Sequence, residues 1–326
     1  MDKSGDDFMV KYILKRLLSV IPTLFILSII IFGIIHLAPG DPAKIILGPD
    51  ATDEALAGLR AELGLDKNIF QQYISWLWGA FHGDLGQSYF RNQPVMTAIK
   101  QHLGPTLVLS CWAQLLAVVF AIPAGVISAR KRGKSVDSTM IILSMIGISL
   151  PSFLLSLFLI IIFGIHLGWL PVAGYKAMQM GVGVHLKSII LPVISLAGLE
   201  TALLIRMTRS SMIDILHTDY IKTAYAKGMS ERTIIFKHAL RNAFNPILTT
   251  IAQSFGSLIS GAAVIETIFN IPGMGQLIVN AVLQRDYPLI VGIVLVISTI
   301  YVAVNFIVDI LYGIVDPRIR TIGKSK

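Results

Sequence analysis

The sequence predicts an all-α polytopic membrane protein with six transmembrane helices. Apolar residues make up 54% of its 326 residues and charged residues only 14%, whereas a soluble protein carries about a quarter charged residues. Six apolar segments are each long enough to cross a hydrocarbon core of about 30 Å as a helix. The six predicted spans are residues 17–38, 107–129, 139–165, 189–205, 247–268 and 289–312.

The lysines and arginines predict the orientation of these spans. The segments 1–16, 130–138, 206–241 and 313–326 fall on one side of the membrane and hold 19 of the 27 basic residues. Basic residues are enriched in cytoplasmic loops, so both termini are predicted to be cytoplasmic. The net charge of +8 then reflects topology, and it does not indicate binding of nucleic acid.

The first span precedes a long extracytoplasmic insertion, residues 39–104. Its apolar stretch exceeds the length of about 7–15 residues typical of a signal peptide, so we interpret it as an uncleaved span. Thr52 is a candidate cap for one helix of the insertion, and Gly64 a candidate stop. A second helix is predicted from Asn68 to Phe81, with aromatic residues suited to the level of the lipid headgroups.

The sequence contains no recognisable catalytic or metal-binding motif. The stretch SARKRGKS (128–135) ends as a phosphate-binding loop does, but it lacks the first glycine and follows an apolar helix rather than a strand. The seven histidines are scattered, and neither H-E-x-x-H nor G-x-S-x-G occurs. We therefore predict no catalytic residue, no metal ligand and no cofactor held by this chain.

Glu200 is unusual because it lies inside the fourth predicted span. A carboxylate at membrane depth is costly unless it faces a wet cavity or a polar partner. Two interpretations remain open: Glu200 lines a translocation path, or it makes a structural contact between helices.

Residues 219–242, DYIKTAYAKGMSERTIIFKHALRN, form the most polar long segment on the cytoplasmic side. Asp219 or Thr218 can cap a first helix, Gly228 permits a left-handed stop, and Ser230 can cap a second helix. The prediction is a rigid helix–glycine–helix elbow. On physical grounds alone it could bind anionic lipid or dock a soluble partner.

The stretch TAYAKGMSERTIIFKHALRNAFNP resembles the cytoplasmic EAA loop of bacterial ABC importer permeases, in the version of the dipeptide, oligopeptide and nickel group. Lys222, Thr223 and Ala224 stand where the general pattern has Glu-Ala-Ala, whereas Gly228 and Leu240 fit it. Further matches follow in order from about residue 9 to 320, namely APGDPA, LGLDKNIFQQY, GDLGQS, GWLPVAGY, VIETIFNIPGMGQL, RDYPLI and DPRIR.

The resemblance implies a permease subunit of a prokaryotic inner or plasma membrane, working with other proteins. These are a second homologous permease, two cytoplasmic ATPases that bind ATP and magnesium, and an extracytoplasmic substrate-binding protein, with lipid around the spans. It divides the chain into residues 1–38, the insertion 39–104, a permease core 105–320 containing the EAA-like loop 209–246, and a tail 321–326. An ion-coupled secondary transporter is the alternative from another class, but the midplane coupling residues that it requires are not evident.

The resemblance also assigns roles to residues. Coupling to the ATPases is implied for the elbow, with Ala224 and Tyr225 expected to enter a groove of the ATPase. The coupling residues are Asp219, Tyr220, Thr223, Ala224, Tyr225, Lys227, Gly228 and Leu240. The translocation path is expected between the two permeases, and its candidate residues are Glu200, Ser149, Ser254 and Ser257. Dipeptides, oligopeptides, glutathione and nickel complexes are all possible cargoes, with peptides favoured.

Overall fold

A computed structural model describes residues 17–33, 41–48 and 50–315, with side chains described as far as Ile310. Within these ranges the chain is mainly helical and contains no β-strand. Gln87 and Pro94 form an isolated β-bridge. The all-α, polytopic membrane class predicted from the sequence is confirmed at this level.

Four helices in the described part of the chain are long and apolar enough to cross a membrane. They are α5 (Val95–Arg130), α8 (Val182–Leu216), the continuous helix Glu231–Ile268, and α13 (Tyr287–Val315). They contain the predicted spans 107–129, 189–205, 247–268 and 289–312. The described part of the first span is a shorter apolar helix, α1 (Leu17–Gly33).

The segment predicted as a single span at 139–165 is a sharply bent pair of helices. The two helices are α6 (Ser135–Ser149) and α7 (Ser152–Leu159), and α7 continues as a π-helix through Ile160–His166. They meet at an angle of 100°. The cause is Pro151, because a proline disfavours helical geometry in the residue before it. Leu150 is accordingly extended, with φ −88° and ψ 112°. The segment predicted as a span is therefore present as two helices joined at a sharp bend rather than as one continuous helix.

The centre of the bundle is formed by α5 and α8, which pack closely along much of their length. At Gly125 in α5 the neighbouring helix comes so near that an added Cβ would lie 2.6 Å from Cβ of Thr208. Gly147 in α6 allows the same approach to Ala202 of α8. Small residues let membrane helices approach closely and gain van der Waals contact.

The described part of the predicted insertion, residues 41–48 and 50–104, contains three short helices before α5 begins. The predicted pair is confirmed as α3 (Asp53–Glu62), capped by Thr52, and α4 (Ile69–Phe81), capped by Asn68. Gly64 has a φ of +68°, as its role as a stop requires. An additional helix, α2 (Pro42–Leu47), begins after Asp41, which accepts a hydrogen bond from the Ala43 backbone N–H at 3.0 Å and also pairs with Arg60.

Candidate functional site

The elbow predicted from residues 219–242 consists of α9 (Asp219–Ala226), a tight turn, and a second helix. That helix begins as α10 (Glu231–Thr233), passes through a π-helical segment (Ile234–Ala239), and continues as α11 (Leu240–Ile268). Gly228 has a φ of +73°, and its N–H donates to the Tyr225 carbonyl at 2.9 Å. Ser230 caps the second helix by accepting from the Thr233 N–H. The predicted glycine stop and serine cap are both confirmed.

The inner face of the elbow is packed against the bundle. Ile221 and Ala224 are buried together with Ile234 and Ile235, in a cluster that includes residues of α5 and α8 such as Ala121 and Met212. Burial of these residues stabilises the eight-residue helix α9 more than its intrinsic helical preference could. The elbow is therefore joined by apolar packing to two helices that cross the membrane.

The predicted coupling residues divide between two faces of the elbow. Asp219, Tyr220, Thr223, Tyr225, Lys227 and Gly228 are exposed, and Tyr225 shows 48% of its surface to solvent. Ala224 is buried, and Leu240 packs against the same internal cluster. Both support the elbow from its inner face, which differs from the expectation that the side chain of Ala224 reaches a partner.

A two-point ion pair fastens the elbow to the end of α5. Nε of Arg130 lies 2.5 Å from Oε1 of Glu231, and its Nη2 lies 2.6 Å from Oε2. Glu231 is the first helical residue after the turn, whereas Arg130 is the last residue of α5. Their pairing was not predicted from the sequence, where the two residues stand 101 positions apart.

A second, more buried ion pair joins α6 to α8. Asp137 at the start of α6 accepts from Nε and Nη2 of Arg209 at 2.6 and 2.8 Å. It also accepts from Ser128 Oγ at 2.6 Å and from the Gly133 N–H at 2.9 Å. The carboxylate thus connects α5, the α5–α6 turn, α6 and α8. In the sequence, both residues lie next to the predicted cytoplasmic ends of spans. This shared position is the one feature of the sequence that indicates they could meet.

The four candidate path residues are not one cluster. Glu200 in α8 is 5% exposed and has no hydrogen-bond or ion-pair partner among the described residues. Ser254 in α11 is also buried, and its Oγ donates to Oε1 of Gln114 in α5 at 2.8 Å. Ser149 and Ser257 are exposed.

The interior of the bundle contains further polar atoms without a hydrogen-bond partner in the described part of the chain. They include Nε2 of Gln114, Oγ1 of Thr201 and Oγ1 of Thr208. Buried polar atoms normally find partners. Glu200 and these atoms are therefore buried polar groups of α5 and α8 that have no hydrogen-bond partner among the described residues.

Ser257 belongs to a polar stripe on the surface of α11. Thr249, Gln253, Ser257 and Ser260 are exposed and recur at intervals of three or four residues, so they share one face of the helix. This face points away from the chain's own bundle. Polar residues at membrane depth usually face protein or water rather than lipid.

At the other end of α11, remote from the elbow, Glu266 holds a second turn in place. Its Oε1 accepts from Oγ1 of Thr106 at 2.5 Å, and its Oε2 accepts from the Gln276 N–H at 3.0 Å, in the first turn of α12 (Met274–Gln284). An added Cβ at Gly273 would lie 2.2 Å from this carboxyl group. The motif VIETIFNIPGMGQL therefore encodes a capped, glycine-tight turn, and the sequence had not assigned a role to Glu266.

Comparisons with known proteins agree with the resemblance noted in the sequence. Residues 121–321 match the family described as binding-protein-dependent transport system inner membrane component, and residues 9–110 match the N-terminal family of such membrane components. A probable peptide ABC transporter permease protein of Sinorhizobium fredii is 42% identical over 309 residues, covering 95% of this chain and 99% of the relative. Glutathione transport system permease proteins GsiC of Shigella flexneri and Escherichia coli K12 are each 40% identical over 312 residues, covering 96% of this chain and 99% of the relative.

Proposed function

The chain belongs to the family of inner-membrane components of binding-protein-dependent transport systems and is a permease subunit of an ABC importer; on this basis we propose that it imports peptides. The relatives described above are named for peptides and for glutathione, which is itself a tripeptide. Peptides of two or more residues are therefore the proposed cargo. Glutathione is the second candidate, and none of the relatives reported above is named for nickel complexes.

The proposed topology has six transmembrane helices with both termini in the cytoplasm. It is supported by the excess of lysine and arginine on one side and by the apolar helices α1, α5, α8, α11 and α13. The bent pair α6–α7 counts as one crossing in this arrangement. Residues 41–104 then lie outside, and the elbow lies inside.

The elbow is proposed to dock a cytoplasmic ATPase and to pass its motion to the spans. The observation that carries this proposal is that the elbow packs onto α5 and α8 and is joined to α5 by an ion pair. Tyr220 and Tyr225 are exposed on its other face. Because the elbow is fixed in this way, a movement of the ATPase would shift the elbow and the spans together and would not merely bend the elbow. ATP and magnesium would be held by two such ATPases, outside this chain.

The translocation path is proposed to lie between this chain and a second homologous permease. The exposed polar face of α11, with Gln253, Ser257 and Ser260, supports this placement because lipid would solvate it poorly. Glu200 and the unpartnered polar atoms of α5 and α8 would meet the path or the second permease when the helices rearrange. An extracytoplasmic binding protein would deliver the cargo.

Uptake by proteoliposomes tests this function. The chain is reconstituted with its partner permease, the ATPases and the binding protein, and uptake of labelled dipeptides, labelled glutathione and nickel is compared. We expect peptide uptake that requires ATP and persists after an ionophore collapses ion gradients. Loss of uptake with the ion gradient, while ATP is still present, would favour a secondary transporter and contradict the proposal.

A further inference from the structure

In helix α4 of the insertion, apolar side chains are exposed on the outward face, and the inward face contains polar and small residues. Its inward face contains Gln72, Ser75, Trp76 and Gly79, which line a cavity of about 610 Å³ between α4, α1 and the loop 84–89. Its outward face contains Phe70, Ile74, Trp78 and Phe81, all strongly exposed. The two sets fall on opposite sides of a helix with 3.6 residues per turn. A helix at a water-facing surface has the reverse arrangement.

The exposure of the outward face is large. Phe81 shows 81% of its surface and Phe70 shows 73%, with Trp78 and Ile74 between half and three quarters exposed. No residue from Ile69 to Phe81 is charged. Contiguous exposed apolar surface of this kind marks contact with a membrane or a protein.

The position of α4 identifies the bilayer as its partner. Tyr73 lies beside α1, with its hydroxyl 2.8 Å from Oγ of Ser28 and its ring centroid 5.2 Å from that of Phe32. Trp76 also contacts Phe32, at 5.8 Å between ring centroids. Ser28 lies within the predicted first span, residues 17–38. Helix α4 is therefore attached to a membrane helix at a level inside that helix.

The surface of α1 beside this contact is itself apolar and exposed. Phe25, Ile26, Ile29 and Ile30 continue the apolar surface of α1 toward the level of α4. The outward face of α4 thus extends a surface that already belongs to a membrane helix. Amphipathic helices that lie in the interface bury their apolar face about 5–10 Å into the headgroup and acyl boundary, and α4 presents such a face beside a membrane helix.

We propose that α4 is an interfacial membrane helix, with Phe70, Ile74, Trp78 and Phe81 inserted in the leaflet on the extracytoplasmic side. The inward face then remains wet and borders the 610 Å³ cavity. Aromatic side chains suit this level because the ring is apolar and the edge meets water. The insertion is thereby held at the membrane surface next to the outer side of the permease.

Site-directed spin labelling of the assembled importer in lipid nanodiscs tests this proposal. Cys111, the single cysteine, is replaced with serine, and a spin label is attached at Trp78→Cys; Ser75→Cys, on the opposite face of α4, is the matched control. Collision rates are measured with oxygen, which partitions into lipid, and with chromium oxalate, which stays in water. Phe70→Cys is a second outward position if Trp78→Cys assembles poorly.

At the outward positions we expect an oxygen collision rate several-fold higher than that of chromium oxalate, unchanged when the binding protein is added. At Ser75 the preference should reverse. Equal or greater access of chromium oxalate at the outward positions would overturn the proposal, because those residues would face water. Low access of both reagents, or loss of oxygen access on adding the binding protein, would also overturn it, because a protein would then cover the helix.

Discussion

Arg130 and Glu231 join the end of α5 to the first residue after the elbow's turn through two parallel hydrogen bonds, at 2.5 and 2.6 Å. Both side chains are about half exposed, and such pairs contribute only about 0–1 kcal/mol to stability. The fork geometry nevertheless fixes the relative orientation of the two helices. Its expected role is to transmit the elbow's movement rather than to hold the fold together.

Exchanging the two charges tests that role. We expect Arg130→Glu and Glu231→Arg each to lower uptake several-fold at normal expression, because each places two like charges at the junction. The double exchange should recover most of the uptake. The measurement is ATP hydrolysed per peptide imported in proteoliposomes. Single variants with a normal ratio would show that the pair is dispensable for coupling.

Substitution of Gly228 tests the left-handed turn of the elbow. A residue with Cβ in this conformation costs about 1–2 kcal/mol, although no neighbouring atom lies within 4 Å of the position of an added Cβ. We expect Gly228→Val to abolish uptake and to leave membrane insertion intact. Gly228→Asn should retain much of the uptake, since asparagine tolerates positive φ. Unimpaired uptake by the valine variant would contradict the coupling role.

Removal of the Asp137 carboxylate tests the buried ion pair. Asp137→Ala leaves Arg209 partly buried without its partner, and we expect destabilisation of about 1–3 kcal/mol. The measurement is thermal unfolding of the purified complex in detergent. Asp137→Leu combined with Arg209→Met should be more stable than Asp137→Ala alone. If Asp137→Ala leaves the melting temperature unchanged, the four contacts of this carboxylate contribute nothing to stability.

Labelling of α11 tests the position of the path. With Cys111 replaced, Ser257→Cys should react with a membrane-impermeant thiol reagent in the assembled importer, at a rate that changes when ATP is added. Ser254→Cys, three residues earlier and buried against Gln114, should react at least tenfold more slowly. Equal slow reaction at both positions would mean that the polar stripe is sealed within an interface and does not line the path.

The sequence predicted the features that depend on short stretches of chain. Runs of about 20 apolar residues become helices because the bilayer leaves backbone groups no other partner. The elbow was predictable since Gly228 and Ser230 have strong local preferences. The bend at Pro151 carried a local signal as well, but a window that averages hydropathy over the segment does not register it.

The features that were missed depend on residues distant in the chain. Arg209 reaches Asp137 across 72 positions, and Thr106 reaches Glu266 across 160. A local pattern can place such residues at the same end of two predicted spans, but it does not indicate which of them pair. The same limit explains Ala224, whose burial depends on how α9 packs against α5 and α8 rather than on the residues beside it.

Photocrosslinking at Tyr225 tests most directly whether the elbow is the docking surface for the ATPase. A benzophenone amino acid is placed at Tyr225 or, as a control, at Leu283, which the proposed topology puts on the opposite side of the membrane and whose side chain is also exposed. The account predicts that position 225 crosslinks to the ATPase subunit and that position 283 does not. Absence of an ATPase crosslink at position 225 in an actively transporting complex, or a crosslink there to the binding protein, would contradict it.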